Sequence, residues 1–208
     1  PRVQINALSA LYRFRMLNSI AKLNSKTTKQ IEDIIIYSQP ELDVSRLPEE
    51  ADKTLPVIYK LLPFLYNVQT LKIPPNSLSI DDAFTPIKDT TSLYALRLSG
   101  ECGKSLQEFL KYITQAEDRG TQLSGVVFNK SNFNSEDIEN ISDFVSKSKV
   151  KSIGFNNAIK QESIPDFYSS FLTPKVTDYL LSLNLDGTLN LDIEKMPKTL
   201  DTECFWPY

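Results

Sequence analysis

The stretch Val68-Gln-Thr-Leu71-Lys-Ile73-Pro-Pro-Asn76-Ser-Leu78 decides how this chain reads. Apolar residues stand at relative positions 1, 4, 6 and 11, with Asn at 9. Alternation across Leu71-Lys72-Ile73 predicts a short strand that buries one face. Leu123-Ser-Gly-Val126-Val-Phe128-Asn-Lys-Ser131-Asn-Phe133 repeats the pattern, with Ser in the Asn position. The first half recurs at Leu93, Leu96 and Leu98, at Val150, Ile153 and Phe155, and at Leu180, Leu183 and Leu185. An earlier copy is expected at Ile31, Ile34 and Ile36. Starts at 68, 93, 123, 150 and 180 lie 25, 30, 27 and 30 residues apart.

Between these strands the period changes to that of a helix. Ser105 and Glu108 have capping-box spacing ahead of Leu106, Phe109, Leu110 and Ile113. Ser135, Glu136 and Asp137 suit a helix N-terminus before the stripe Ile138, Ile141, Phe144 and Val145. Ser163 is the expected cap of a third helix, with Pro165 in its first turn and Phe167, Phe171 and Leu172 facing inward.

A strand and helix repeated at this period resemble the leucine-rich repeat family, whose unit reads L-x-x-L-x-L-x-x-N/C-x-L before a helical return. The full-length helices are most similar to its ribonuclease-inhibitor-like branch. That resemblance implies an α/β leucine-rich-repeat solenoid, a curved parallel sheet with outer helices, over about five to six repeats in residues 28–200. Position 9 holds Gln39, Glu101, Ala158 and Thr188 in the other units, so its polar ladder is incomplete. A single unit cannot bury both its strand and its helix, whereas a stack builds a continuous core. The competing arrangement is a doubly wound α/β domain, whose strands usually read as longer apolar runs.

A stack needs covered ends. Residues 1–27 are expected to form a helical basic cap, and Phe205-Trp206-Pro207-Tyr208, within residues 201–208, an aromatic one. Residues 1–30 hold Arg2, Arg13, Arg15, Lys22, Lys26 and Lys29 and no acid. The whole chain has 23 basic and 26 acidic side chains, net −3, so the remainder carries −9. Leu8, Leu11, Leu17, Ile20 and Leu23 recur at helical spacing, which predicts amphipathic helix to about Asn24, its basic face in water. The acidic remainder argues against nucleic acid as a partner.

Composition removes much chemistry. The 208 residues include no histidine, which excludes Ser-His-Asp and Cys-His catalysis, H-E-x-x-H zinc sites and imidazole proton shuttles. Two cysteines, Cys102 and Cys204, make no disulfide framework and fit a reducing, cytoplasmic setting. No apolar run approaches the ~20 residues of a membrane span. A chain starting at Pro1 reads as a domain or processed product of something longer. No metal or cofactor is expected.

The segment Leu98-Ser-Gly100-Glu-Cys-Gly103-Lys104-Ser105 offers the alternative, a nucleotide-binding switch, because glycine amides at a helix start cradle phosphate. The phosphate-loop motif needs its first Gly where Leu98 stands. Asn129-Lys-Ser-Asn132 resembles the guanine-binding N-K-x-D element but ends in Asn.

The solenoid reading therefore leads to a non-enzymatic module, monomeric by itself, that binds a protein through its concave sheet face. The resemblance extends to scaffolds, ubiquitin-ligase adaptors and bacterial effectors. Residues between the inward positions form two columns. One is Ile35, Lys72, Arg97, Val127, Gly154 and Asn184; the next is Tyr37, Pro74, Ser99, Asn129, Asn156 and Asp186, with Tyr94 and Lys151 beside them. Tyr and Arg are favoured interface anchors. The expected partner-binding set is Tyr37, Lys72, Tyr94, Arg97, Asn129, Lys151, Asn156, Asn184 and Asp186, with a partner acidic near Lys72 and Arg97.

Overall fold

In the computed structural model the apolar cores of successive units stand side by side. Leu42, Leu71, Leu96, Val126, Ile153 and Leu183 form one row of register partners. The strands carrying them are β1 (Glu41–Asp43), β2 (Thr70–Ile73), β3 (Ala95–Ser99), β4 (Gly125–Asn129), β5 (Ser152–Asn156) and β6 (Ser182–Asn184). They make one six-stranded parallel sheet ordered as the chain runs, so the protein is α/β. A doubly wound sheet reverses its order part-way, and this one does not. The structure describes residues 2–37, 40–44, 51–65, 67–73, 93–100, 106–108, 110–111, 123–148 and 150–186.

The backbone repeats as faithfully as the side chains. The carbonyls of Pro40, Gln69, Tyr94, Ser124 and Lys151 each accept from two successive N–H groups of the next unit, at 2.7–3.1 Å. Past the strands, Gly100, Lys130 and Asn157 have φ of 114°, 53° and 48°. Their N–H groups donate to the carbonyls of Asn129, Asn156 and Asp186 at 2.8, 2.9 and 3.0 Å. A left-handed residue at one place in three units turns the chain off the sheet each time. Gly100 takes this conformation freely and Asn157 tolerates it, whereas Lys130 holds it against a steric cost.

Helices close the other side of the sheet. In α3 (Ala51–Leu61), Leu55, Ile58 and Leu61 are buried at helical spacing. Residues 106–108 and 110–111 are helical and bury Leu106 and Leu110. Helix α4 (Ser135–Lys147) buries Ile138, Ile141, Phe144 and Val145, the stripe read from sequence. Its cap is Asn134, one residue before the expected Ser135. Asn134 Oδ1 accepts from the Asp137 N–H at 3.0 Å, and Asp137 Oδ2 accepts from the Asn134 N–H at 3.1 Å. The Ser135 hydroxyl donates to Asp166 instead.

Ser163 makes no side-chain cap. It ends a 3₁₀ turn, and the chain continues through one turn of α-helix into a π-helical turn at Phe167–Phe171. That turn brings Phe167 and Phe171 into a parallel stack with centroids 5.0 Å apart, and both meet Phe155 edge-on. One core cluster runs from Ala10 to Leu180.

The N-terminal part differs from its sequence reading. Ile31, Ile34 and Ile36 are not a strand; they lie in α2 (Ser25–Tyr37). Their β-branching favours a strand, but Thr27, Ile31 and Ile35 are the buried residues, while Asp33, which a strand would set on the same face as Ile31 and Ile35, is not buried. Asn24, expected to close the first helix, opens the second, its Oδ1 accepting from the Thr27 N–H at 2.8 Å. The first helix, α1 (Arg2–Ala21), ends at Lys22, whose φ is 52°. The expected boundary at residue 27 thus falls inside α2, and the first strand of the sheet starts at Glu41. The capping box at Ser105, the position-9 residues Gln39, Asn76, Glu101 and Thr188, and the aromatic tail at 201–208 lie outside the described residues.

Candidate functional site: the open face of the sheet

Side chains alternate across a strand, so the rows flanking the buried one project from the side away from the helices. Asp43, Lys72, Arg97, Val127, Gly154 and Asn184 are register partners in one such row. Ser99, Asn129 and Asn156 form the next. Most of the columns read from sequence are therefore physical rows; in the second, Pro74 lies outside the described residues and Asp186 lies past the end of β6. Asp43, not Ile35, heads the first. Tyr37 is absent from the second, because it ends α2, with its side chain 71% exposed.

Lys72 and Arg97 stand together as predicted, yet neither presents a bare cation. Lys72 Nζ lies 3.1 Å from Asp43 Oδ2, and Arg97 Nη1 lies 3.5 Å from Glu41 Oε2. Both carboxylates come from β1, the strand that sequence reading missed. Two acids and two bases leave this corner neutral, which removes the basis for expecting a strongly acidic partner there. The signal for β1 is Leu42-Asp-Val44, an L-x-V core 29 residues before Leu71-Lys-Ile73. Flanking acids and the stronger apolar run at residues 34–36 hide it.

The row beyond is tied to itself. Asn156 Nδ2 donates to Asn129 Oδ1 at 2.8 Å, and Asn129 Nδ2 donates to Ser99 Oγ at 3.3 Å. This amide ladder crosses three strands, a structural use of residues read as contacts. Asn156 Oδ1 is buried without a hydrogen-bond partner. Asn184 Oδ1 accepts from the Asp186 N–H at 2.9 Å, closing a local turn at the sheet edge.

Tyr94 and Lys151 lie one residue before their strands, and the Tyr94 hydroxyl reaches Gln69 Oε1 at 3.4 Å. Lys151 Nζ stands 5.6 Å from the Tyr179 ring centroid. Between these residues and the Asn ladder the row flattens at Val127 and Gly154. A Cβ on Gly154 would come within 3.1 Å of Val127 Cγ1, so the glycine lets Val127 lie over the strand. The face thus presents a neutral charged corner and an amide edge, with the buried Val127 and Gly154 between them.

The nucleotide alternative meets two obstacles. Leu98, at the place of the motif's first Gly, is fully buried, and the Gly100 N–H is bonded to the Asn129 carbonyl. Residues 101–105, Cys102 among them, lie outside the described residues. Among the described residues no helix is long and apolar enough to cross a membrane. No family model matches this chain, and no curated protein matches its sequence.

Proposed function

We propose that this chain is an irregular leucine-rich-repeat solenoid of six units that acts as a non-enzymatic, intracellular protein-binding module. The observation that carries the reading is the row Asp43, Lys72, Arg97, Val127, Gly154 and Asn184, six side-chain positions in register on one face of a chain-ordered parallel sheet. The recurrent two-donor carbonyl and the recurrent left-handed turn support the repeat assignment, because unrelated connections would not place them at one position unit after unit. Parallel stacking of this kind generates an extended surface suited to a folded partner or a long peptide.

On this face Tyr94 and Arg97 are the anchors. Tyr94 is 38% exposed, and Arg97 has one contact with Glu41 and further N–H donors for a carboxylate or carbonyl of the partner. Val127 and Gly154, both buried, keep the middle of the face flat, and Lys151 with Tyr179 frames the far edge.

The test is affinity capture from cell lysate, read by mass spectrometry, comparing the native chain with Tyr94→Ala/Arg97→Ala. Changing Lys72 to an acid is avoided, because it would stand against Asp43 and destabilise the sheet. Proteins retained by the native chain and lost from the folded variant are the expected result. An identical set on both would place binding elsewhere.

A further inference from the structure

Helix α1 is apolar on two opposite faces. Ala10 and Phe14 are buried, with Leu11, Leu17 and Ala21 packed beside them against the core. On the other side Leu8, Tyr12, Met16 and Ile20, spaced four apart, are 66%, 70%, 56% and 82% exposed. Sequence reading put Leu8 and Ile20 on the packed stripe and a basic face in water; the solvent face is this apolar row. The row spans about 18 Å and exposes on the order of 500 Å² of apolar surface, at the upper end of what a monomer's largest patch reaches.

The surface is a groove. Phe64, from the 3₁₀ turn after α3, forms a second wall opposite Tyr12, Met16 and Ile20, leaving a cleft of about 530 Å³. The Arg13 guanidinium lies 3.8 Å over the Phe64 ring and ties the walls together. Arg15 borders the row on its other side, 73% exposed and 3.8 Å from Glu32.

We propose that this groove binds an amphipathic helix of a second protein, one with apolar anchors along one face and acidic residues beside them. Helix-in-groove recognition reads anchors at i, i+3, i+4 and i+7, which three turns of open groove accommodate. Charge decides the flanks: Arg13 and Arg15 stand on either side of the row, α1 carries no acid, and Glu32 of α2 offsets only Arg15. A second copy of the chain fits poorly, because a two-fold axis at the middle of the row lies level with Phe14 and brings Arg13 and Arg15 of both copies together. A bilayer fits poorly as well, because the Phe64 wall makes the surface concave. The site is separate from the sheet face and does not depend on it.

The test selects a displayed library of helical peptides on the full chain, with counter-selection on Met16→Glu. Enriched peptides are expected to be acidic, to carry anchors at helical spacing, and to lose at least tenfold in affinity on Met16→Glu while binding Arg97→Ala normally. Tyr12→Ala/Met16→Ala is the second variant should Met16→Glu fail to fold. Basic peptides, peptides indifferent to both variants, or no enrichment would overturn the proposal. So would Met16-dependent binding to phosphatidylcholine–phosphatidylserine vesicles, or a Met16-dependent dimer in sedimentation equilibrium.

Discussion

Truncating Phe155 to Ala removes the hub of the C-terminal core. Its ring lies 5.9 Å from Phe128, 6.3 Å from Phe133, 5.3 Å from Phe167 and 5.1 Å from Phe171, centroid to centroid, and the residue is 1% exposed. Phe→Ala in a core costs about 3–5 kcal/mol, and aromatic pairs add about 0.5–1.5 kcal/mol each beyond burial, so the upper half of that range is expected. Against a total stability of about 5–15 kcal/mol, the variant stays folded with a thin margin. Phe155→Leu, which keeps the apolar bulk but loses the ring, should cost roughly half as much. Urea unfolding followed by circular dichroism measures both. Because each strand pairs only with its neighbours in the chain-ordered sheet, native-state hydrogen exchange should show protection lost chiefly in residues 125–171, with α1, α2 and α3 nearly unchanged. A cost below about 1.5 kcal/mol for Phe155→Ala would refute the aromatic hub. Equal loss of protection from α1 to β6 would refute the local, unit-by-unit stack.

Asn134→Ala deletes one half of a capping box and should cost about 1 kcal/mol in urea unfolding, with faster exchange in the first turn of α4; no change would contradict the cap. Lys22→Gly relieves a left-handed backbone at the end of α1 and should raise stability by about 0.5–1 kcal/mol, about 1–4 °C in Tm by calorimetry. Gly154→Ala pushes on Val127 and should cost about 1 kcal/mol; in a double-mutant cycle, Val127→Ala should recover most of that cost. Magnesium with ATP or GTP should leave the melting temperature unmoved, since the Gly100 N–H is already bonded to the Asn129 carbonyl; a saturable rise would revive the phosphate-loop reading.

The sheet was legible wherever a strand core is apolar on its inward positions and no stronger apolar run lies close by. Leu71-Lys-Ile73 and Val126-Val-Phe128 announce themselves, and their register follows from the spacing alone. Leu42-Asp-Val44 carries the same pattern, but the stronger β-propensity of Ile34, Ile35 and Ile36 lies a few residues earlier. Only tertiary packing decides that those isoleucines stay helical, with Asn24 as their cap. The sheet-face rows could be listed from sequence because alternation is strict, whereas their pairing could not. Whether Lys72 is a free cation depends on Asp43 one strand away, which has no local signature. Likewise the hydrophobic row on α1 is indistinguishable in sequence from its packed row, because both recur at helical spacing and only the neighbours choose between them.

The most direct test of the account is an equilibrium titration of a captured partner against three forms of the chain. These are the native protein, Tyr94→Ala/Arg97→Ala on the sheet face, and Lys111→Ala/Lys147→Ala on the outer helices. The account predicts at least a tenfold loss of affinity for the sheet-face variant, about the 1.4 kcal/mol that one anchor contact is worth, and less than about a twofold change for the outer one. Undiminished binding by the sheet-face variant, with loss on the helical side, would contradict it.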